Sequence, residues 1–215
     1  MEIKDATTNI DDKEFEFDFY KKNNPVLCHK NNLPHWHQDG IIQYLTFRLA
    51  DSLPQVKLKE LAEKKEKWME THPLPWDEET QIDYQDFINS RLDHWLDSSY
   101  GECVLKNPQI RKIVFDGLMF FNNVKYRIYS FVIMPNHVHV LLSPIGEYKA
   151  IKEIGKVKSF TAKKINQLLG KEGAVWQREI FDRIVRSGDH FMAYDNYIIN
   201  NPNGMQPDSY DLYHL

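Results

Sequence analysis

Tyr129-Ser130-Phe131-Val132-Ile133-Met134-Pro135-Asn136-His137-Val138-His139-Val140-Leu141-Leu142 is the stretch on which the fold turns. Pro135-Asn136 divides it into two apolar runs, Val124 to Met134 and His137 to Ser143, which the pattern predicts as two strands of a tight hairpin. Side chains alternate across a strand, so His137 and His139 fall on one face and Val138, Val140 and Leu142 on the other. The valine face belongs in a core. The histidine face offers two imidazoles ~7 Å apart at their Cα atoms, a spacing that suits one metal ion or one phosphate.

A pair of hydrogen-bonded structural histidines is the plain alternative. The His-φ-His-φ-His-φ-φ pattern of the histidine-triad nucleotide hydrolases fails here, because Leu141 stands at its third histidine. A second His-x-His, His35-Trp36-His37, follows Pro34 in an expected loop. It is taken as structural, or as a surface on which a base could stack.

Working outward, Ile41 to Leu49 is an expected strand with Ile41, Leu45, Phe47 and Leu49 on one face and Tyr44, Thr46 and Arg48 on the other. Ser52-Leu53-Pro54 ends it. Two charged helices, Lys57 to Glu70 and Asp83 to Leu96, flank Pro73 and Pro75 and are expected to be peripheral. Asn107-Pro108 starts another helix, with proline at its first position. Ile110, Ile113, Val114, Gly117, Leu118 and Phe121 then form a core-facing stripe. Beyond the hairpin come a helix from Tyr148 to Leu169 closed by Gly170, a short strand from Ile180 to Val185, and a last helix from Asp189 to Asn201 stopped by Pro202. This order predicts an α+β sandwich with a largely antiparallel sheet. Residues 1–30 read as a polar tail, 31–205 as one domain with a helical insertion at 55–100, and 206–215 as a short C-terminal tail.

The chain has 215 residues, 42% of them hydrophobic, enough to bury a sizeable core. Its two cysteines, Cys28 and Cys103, form no CxxC pair, so neither a disulfide framework nor a cysteine-rich zinc site is expected. Met1 to Asp12 lacks the basic start and apolar run of a signal peptide. No apolar stretch approaches the ~20 residues of a membrane helix, so a cytoplasmic location is expected. Net charge is −4, which by itself argues weakly against a nucleic-acid partner. Distribution changes that: from Lys149 to Gly188 there are ten Lys/Arg against four Asp/Glu. Such a stretch is either a solvated helix face or a phosphate-binding one.

In the last helix, Phe191, Tyr194 and Ile198 mark one face, and Ala193, Tyr197, Asn200 and Asn201 another. Tyr197 and Asn201, four apart, point to the same spot. A half-buried tyrosine with a wet hydroxyl is the ordinary explanation for such a residue.

The run from Tyr129 to Leu142 closely resembles the HUH motif of the single-tyrosine transposases, especially the branch associated with REP sequences. Four further regions are similar to that branch in the same order. They are Leu33-Pro34-His35-Trp36 with Leu45 to Pro54, Lys158-Ser159-Phe160-Thr161-Ala162, Trp176-Gln177-Arg178-Glu179 with Phe181-Asp182-Arg183, and Tyr197-Ile198-Ile199-Asn200-Asn201-Pro202. Together they span roughly residues 33–202. The pattern departs after Pro202, where Asn203-Gly204-Met205-Gln206 replaces the family's Val-Lys-Ala-Gly-like stretch.

The resemblance implies a ferredoxin-like core and a metal-dependent endonuclease and strand transferase acting on single-stranded DNA, on hairpin-forming or REP-like repeats. It implies that His137 and His139 hold Mg²⁺ or Mn²⁺, with Asn201 as third ligand, and that Tyr197 is the nucleophile forming a 5′-phosphotyrosine. Lys152, Lys156, Lys158, Lys163 and Lys164, with Arg48, are the expected DNA contacts, and Trp36 or Trp176 the expected stacking residues. Monomer and homodimer both remain open. Two rivals stand beside this expectation: a domesticated, inactive hairpin-binding regulator, and a metal phosphodiesterase that uses activated water and needs no Tyr197.

Overall fold

The hairpin read from the sequence lies at the centre of a five-stranded antiparallel sheet. The computed structural model describes residues 19–20, 27–30, 34–37, 40–73 and 76–215; most of the expected N-terminal tail lies outside them. Two short strands, β1 (Leu27–Lys30) and β2 (Pro34–His37), pair antiparallel, so the stretch expected as tail and loop contains a small hairpin. The main sheet uses β3 (Gln43–Arg48), β4 (Tyr126–Ile133), β5 (His137–Pro144), β6 (Phe181–Ile184) and β7 (Asp211–His214), in the order β6-β3-β5-β4-β7.

Helices α1 (Gln55–Thr71) and α2 (Glu78–Asp97) follow β3, and α3 (Pro108–Met119) leads into β4. Helix α4 (Ala150–Leu169) joins β5 to β6, and α5 (Gly188–Asn200) follows β6. The path β3-α3-β4-β5-α4-β6 makes two split βαβ units, the ferredoxin-like arrangement expected, with α1 and α2 inserted in the first.

Each face of the sheet has its own core. Leu45 and Phe47 of β3, Tyr126, Ile128, Phe131 and Ile133 of β4, and Val138, Val140 and Leu142 of β5 pack against α3 and α4. A bulge between Ile128 and Ser130 shifts the β4 register, which keeps the apolar residues on that face before and after it. Burial of each such side chain stabilises by ~1.5–3 kcal/mol.

Helix α3 begins where Asn107 caps it, accepting from the Gln109 N–H at 2.9 Å, with Pro108 at the first turn. Gly117 lets α3 and α4 approach closely, since a Cβ there would stand 2.9 Å from Thr161 Cγ2. Gly170, at φ 61°, ends α4 in the left-handed conformation that glycine adopts without strain.

On the opposite face α5 lays Tyr194 and Ile198 over Tyr44, Tyr129, Val132 and Leu141. Tyr194 and Tyr44 stack with ring centroids 4.4 Å apart. The inserted helices sit at the β6 edge of the sheet and have a core of their own. Leu61, Tyr84, Ile88, Leu92, Trp95 and Leu96 of α1 and α2 close a third core with Leu53 and with Phe181 of β6. Asp86 of α2 also forms a 3.0 Å ion pair with Arg183 of β6. Residues 211–214, inside the stretch expected as a short tail, pair as β7 with Ser130–Ile133 of β4. Arg111 of α3 secures that end by donating to the Asp208 carbonyl and pairing with Asp211 at 3.2 Å.

Candidate active site

Strand β5 delivers His137 and His139 to the face that α5 covers, as strand alternation requires. Their ring centroids lie 4.6 Å apart with planes at 77°. Both are wholly buried. Burial holds them neutral: it pushes His137 down to about 3, and it takes His139 well below the usual range, with His137 adding to the effect. Neutral imidazole is the form that binds a metal.

The second ring nitrogen of each histidine is engaged. His137 Nδ1 lies 2.7 Å from Asn136 Oδ1. An amide oxygen only accepts, so Nδ1 carries the proton and Nε2 presents a lone pair. His139 Nδ1 meets two hydroxyls of β3, Tyr44 at 2.6 Å and Thr46 at 2.7 Å. Thr46 stands directly opposite His139 in the β3–β5 register, which explains that contact.

Helix α5 supplies the other two candidates from the same chain. The Tyr197 ring sits edge-on to His139 at 5.3 Å between centroids, and edge-on to Tyr44 at 6.3 Å. Asn201, the residue that caps α5, follows one turn later on the same side. Among the described residues, His137 Nε2, His139 Nε2 and Asn201 Oδ1 are buried without any hydrogen-bond partner. Leaving such an atom unsatisfied costs about 1–3 kcal/mol. The two imidazole nitrogens and the amide oxygen are of the kind that can bind a divalent cation. Two imidazoles and an amide oxygen suit Mn²⁺ or related ions, and a phosphate oxygen from a substrate extends the set towards Mg²⁺. No group of three or more His, Cys, Asp or Glu able to hold a metal occurs among the described residues.

The expected DNA contacts do not gather here. Lys152, Lys156, Lys163 and Lys164 are exposed on α4, which packs on the far face of the sheet. Lys156 pairs there with Glu153 at 2.6 Å. Lys158 turns inward instead and donates to the carbonyls of Gln177, Arg178 and Glu179 at 2.7, 3.0 and 3.3 Å. Burial first, then the Arg48 charge, pushes Lys158 down to about 8.

Arg48 lies opposite His137 in register but is buried, donates to Ser52 Oγ at 3.0 Å, and is lowered by burial to about 10. Trp176 is also buried: its indole N–H reaches Thr161 Oγ1 at 2.9 Å, and its ring packs on Phe47. Lys158, Arg48 and Trp176 each bond within the protein through one side-chain group, while Arg48 Nε is buried without a partner among the described residues. The side chain of Trp36 lies outside the described residues. Tyr44, Thr46 and Asn136 are the site residues that sequence reasoning passed over. The polar face of β3 was the available signal for the first two.

A two-histidine face under a tyrosine-bearing helix, on a ferredoxin-like sheet, is the candidate site. Residues 111–201 match the family described as "Transposase IS200 like". No curated protein matches the chain. Among solved structures, one of a REP-associated tyrosine transposase bound to a REP hairpin is similar at 14% identity and a TM-score of 0.43, covering 78% of this chain and 70% of the other. Among the described residues no helix is long and apolar enough to cross a membrane.

Proposed function

We propose that this chain is a metal-dependent endonuclease and strand transferase for single-stranded DNA, with Tyr197 as nucleophile, His137, His139 and Asn201 as metal ligands, and hairpin-forming repeats as substrate. One observation carries the proposal: Tyr197 lies at 5.3 Å from His139 on a face where both Nε2 atoms and Asn201 Oδ1 are buried and open. The family match to residues 111–201 supports it independently.

A bound Mg²⁺ or Mn²⁺ supplies Lewis-acid neutralisation of the charge that develops on the scissile phosphate. The protein does the rest. Tyr197 Oη attacks phosphorus in line, the new O–P bond forms as the P–O3′ bond breaks, and the departing 3′ oxygen takes up a proton. The phenol gives up its own proton in the same step. The 5′-phosphotyrosine conserves the bond energy, so a DNA 3′-hydroxyl can reverse the reaction without ATP. Burial disfavours the charged form of His137 and His139, which suits them to hold a metal rather than to supply a proton. One chain carries all four residues, which supports a tyrosine acting on the site of its own subunit. Lys152, Lys156, Lys163 and Lys164 are proposed to steer the DNA backbone from the helical side.

A hairpin-binding regulator without cleavage is the second reading. It is favoured by the complete burial of both histidines, which requires the site to open before a phosphate can reach them. Covalent trapping separates the two. Labelled hairpin oligonucleotides with Mn²⁺ are expected to give a denaturation-resistant adduct that is lost with EDTA, Tyr197→Phe or His137→Ala. Hairpin binding with no adduct under any condition would establish the regulator instead.

A further inference from the structure

Asn136 is wholly buried in the turn between β4 and β5, yet it touches no reacting group. Its Nδ2 donates to the Tyr100 carbonyl at 3.1 Å, which aims its Oδ1 at His137 Nδ1, 2.7 Å away. Reversing the amide would face Nδ2 towards the ring nitrogen and leave an oxygen against a carbonyl, so the Tyr100 contact selects one orientation. The carbonyl is fixed in turn. Residue 101, at φ +89°, must be glycine, since an added Cβ would lie 2.7 Å from the Asp51 carbonyl oxygen. The Glu102 N–H donates to Asp51 Oδ2 at 2.7 Å, and Asp51 lies just past the end of β3 after Leu49 and Ala50. The chain leaving the inserted helices is therefore tied to the sheet where Asn136 can read its position.

We propose that Asn136 is a positioning residue: it sets the His137 tautomer, proton on Nδ1 and lone pair on Nε2, and so couples the end of the 55–100 insertion to the metal site. This rests on the reading of His137 as a metal ligand. Metal-bound histidines generally gain orientation and basicity from a partner on the other nitrogen, and loss of that partner typically weakens metal binding ~10–100-fold. Asn136 is a neutral partner of this kind. It fixes direction without adding charge, which leaves room for an anionic phosphate at the same ion.

Two readouts test the assignment. Long-range ¹H–¹⁵N correlation spectra of the metal-free wild-type protein report the protonated nitrogen of His137 with no variant needed; Nδ1–H is expected, and Nε2–H overturns the proposal. Mn²⁺ titration then compares variants whose fold is checked by circular dichroism. Asn136→Ala is expected to mix the two tautomers and weaken Mn²⁺ ~10–100-fold. Asn136→Asp, which keeps an acceptor, restores the tautomer and most of the affinity. Gly101→Ala displaces the Tyr100 carbonyl and reproduces part of the loss with Asn136 intact. An Asn136→Ala protein with wild-type tautomer and wild-type Mn²⁺ affinity overturns the coupling. A wild-type protein that holds the tautomer but binds no Mn²⁺ supports the positioning and overturns the nuclease reading alone.

Discussion

The two faces of β5 are made by alternate residues of one strand and do opposite things. Val138, Val140 and Leu142 are apolar and satisfied by contact with α3 and α4. His137 and His139, equally buried, each keep one ring nitrogen bonded and leave the other open. The first face contributes stability, ~1.5–3 kcal/mol for each large side chain. The second costs stability in the free protein, about 1–3 kcal/mol for each open polar atom. That cost would be offset by the metal proposed to bind there. Stability and function should therefore come apart when the faces are altered separately.

The largest separation is expected on the histidine side. Tyr197→Phe should abolish the DNA adduct while thermal unfolding shifts little, because only a hydroxyl is removed from a half-buried ring. On the proposal that each chain builds its own site, mixing Tyr197→Phe with His137→Ala should not restore adduct. Recovery on mixing would show that the tyrosine is exchanged between subunits.

On the apolar side, Leu142→Ala should lower stability by ~2–5 kcal/mol in denaturant titrations. The adduct yield per folded molecule should stay near wild type. Metal addition provides the converse. Mn²⁺ at a hundred times its Kd should raise stability by ~2.7 kcal/mol, reversed by EDTA and absent in His139→Ala.

Smaller effects distinguish the lysines of α4. Lys158→Met leaves three carbonyls without their donor and should cost ~1–3 kcal/mol of stability without altering the salt dependence of hairpin binding. Replacing exposed Lys163 and Lys164 by Ala should do the reverse. Stability should change by no more than ~0.5 kcal/mol, and the slope of log affinity against log salt should become shallower. An unchanged slope would remove the far face from the DNA path.

Much of this contrast was legible in the sequence. Period-two alternation placed His137 and His139 together, and the four-residue spacing of Tyr197 and Asn201 placed both on one side of α5. What was not legible depends on register. Tyr44 and Thr46 were seen as the polar face of β3, but only the Thr46–His139 pairing makes them partners of an imidazole. Asn136 gains its role from the Tyr100 carbonyl, 36 residues away, which no local pattern reveals.

Lys158 shows a different limit of the sequence pattern. It was counted with its charge, although its position falls on the stripe of Ile154, Val157, Thr161 and Ile165 that faces the core. Its ammonium then found backbone carbonyls inside. Strand β7 escaped notice because its four residues alternate only between exposed and half-buried, so the pattern lacks a buried face.

The central claim is that Tyr197 forms the covalent bond, and mass spectrometry of the trapped complex tests it most directly. After nuclease and protease digestion, the account predicts a nucleotide linked through its 5′ phosphate to the peptide containing Tyr197. Cleaved DNA with no linked peptide, or a nucleotide attached to another residue, would contradict it.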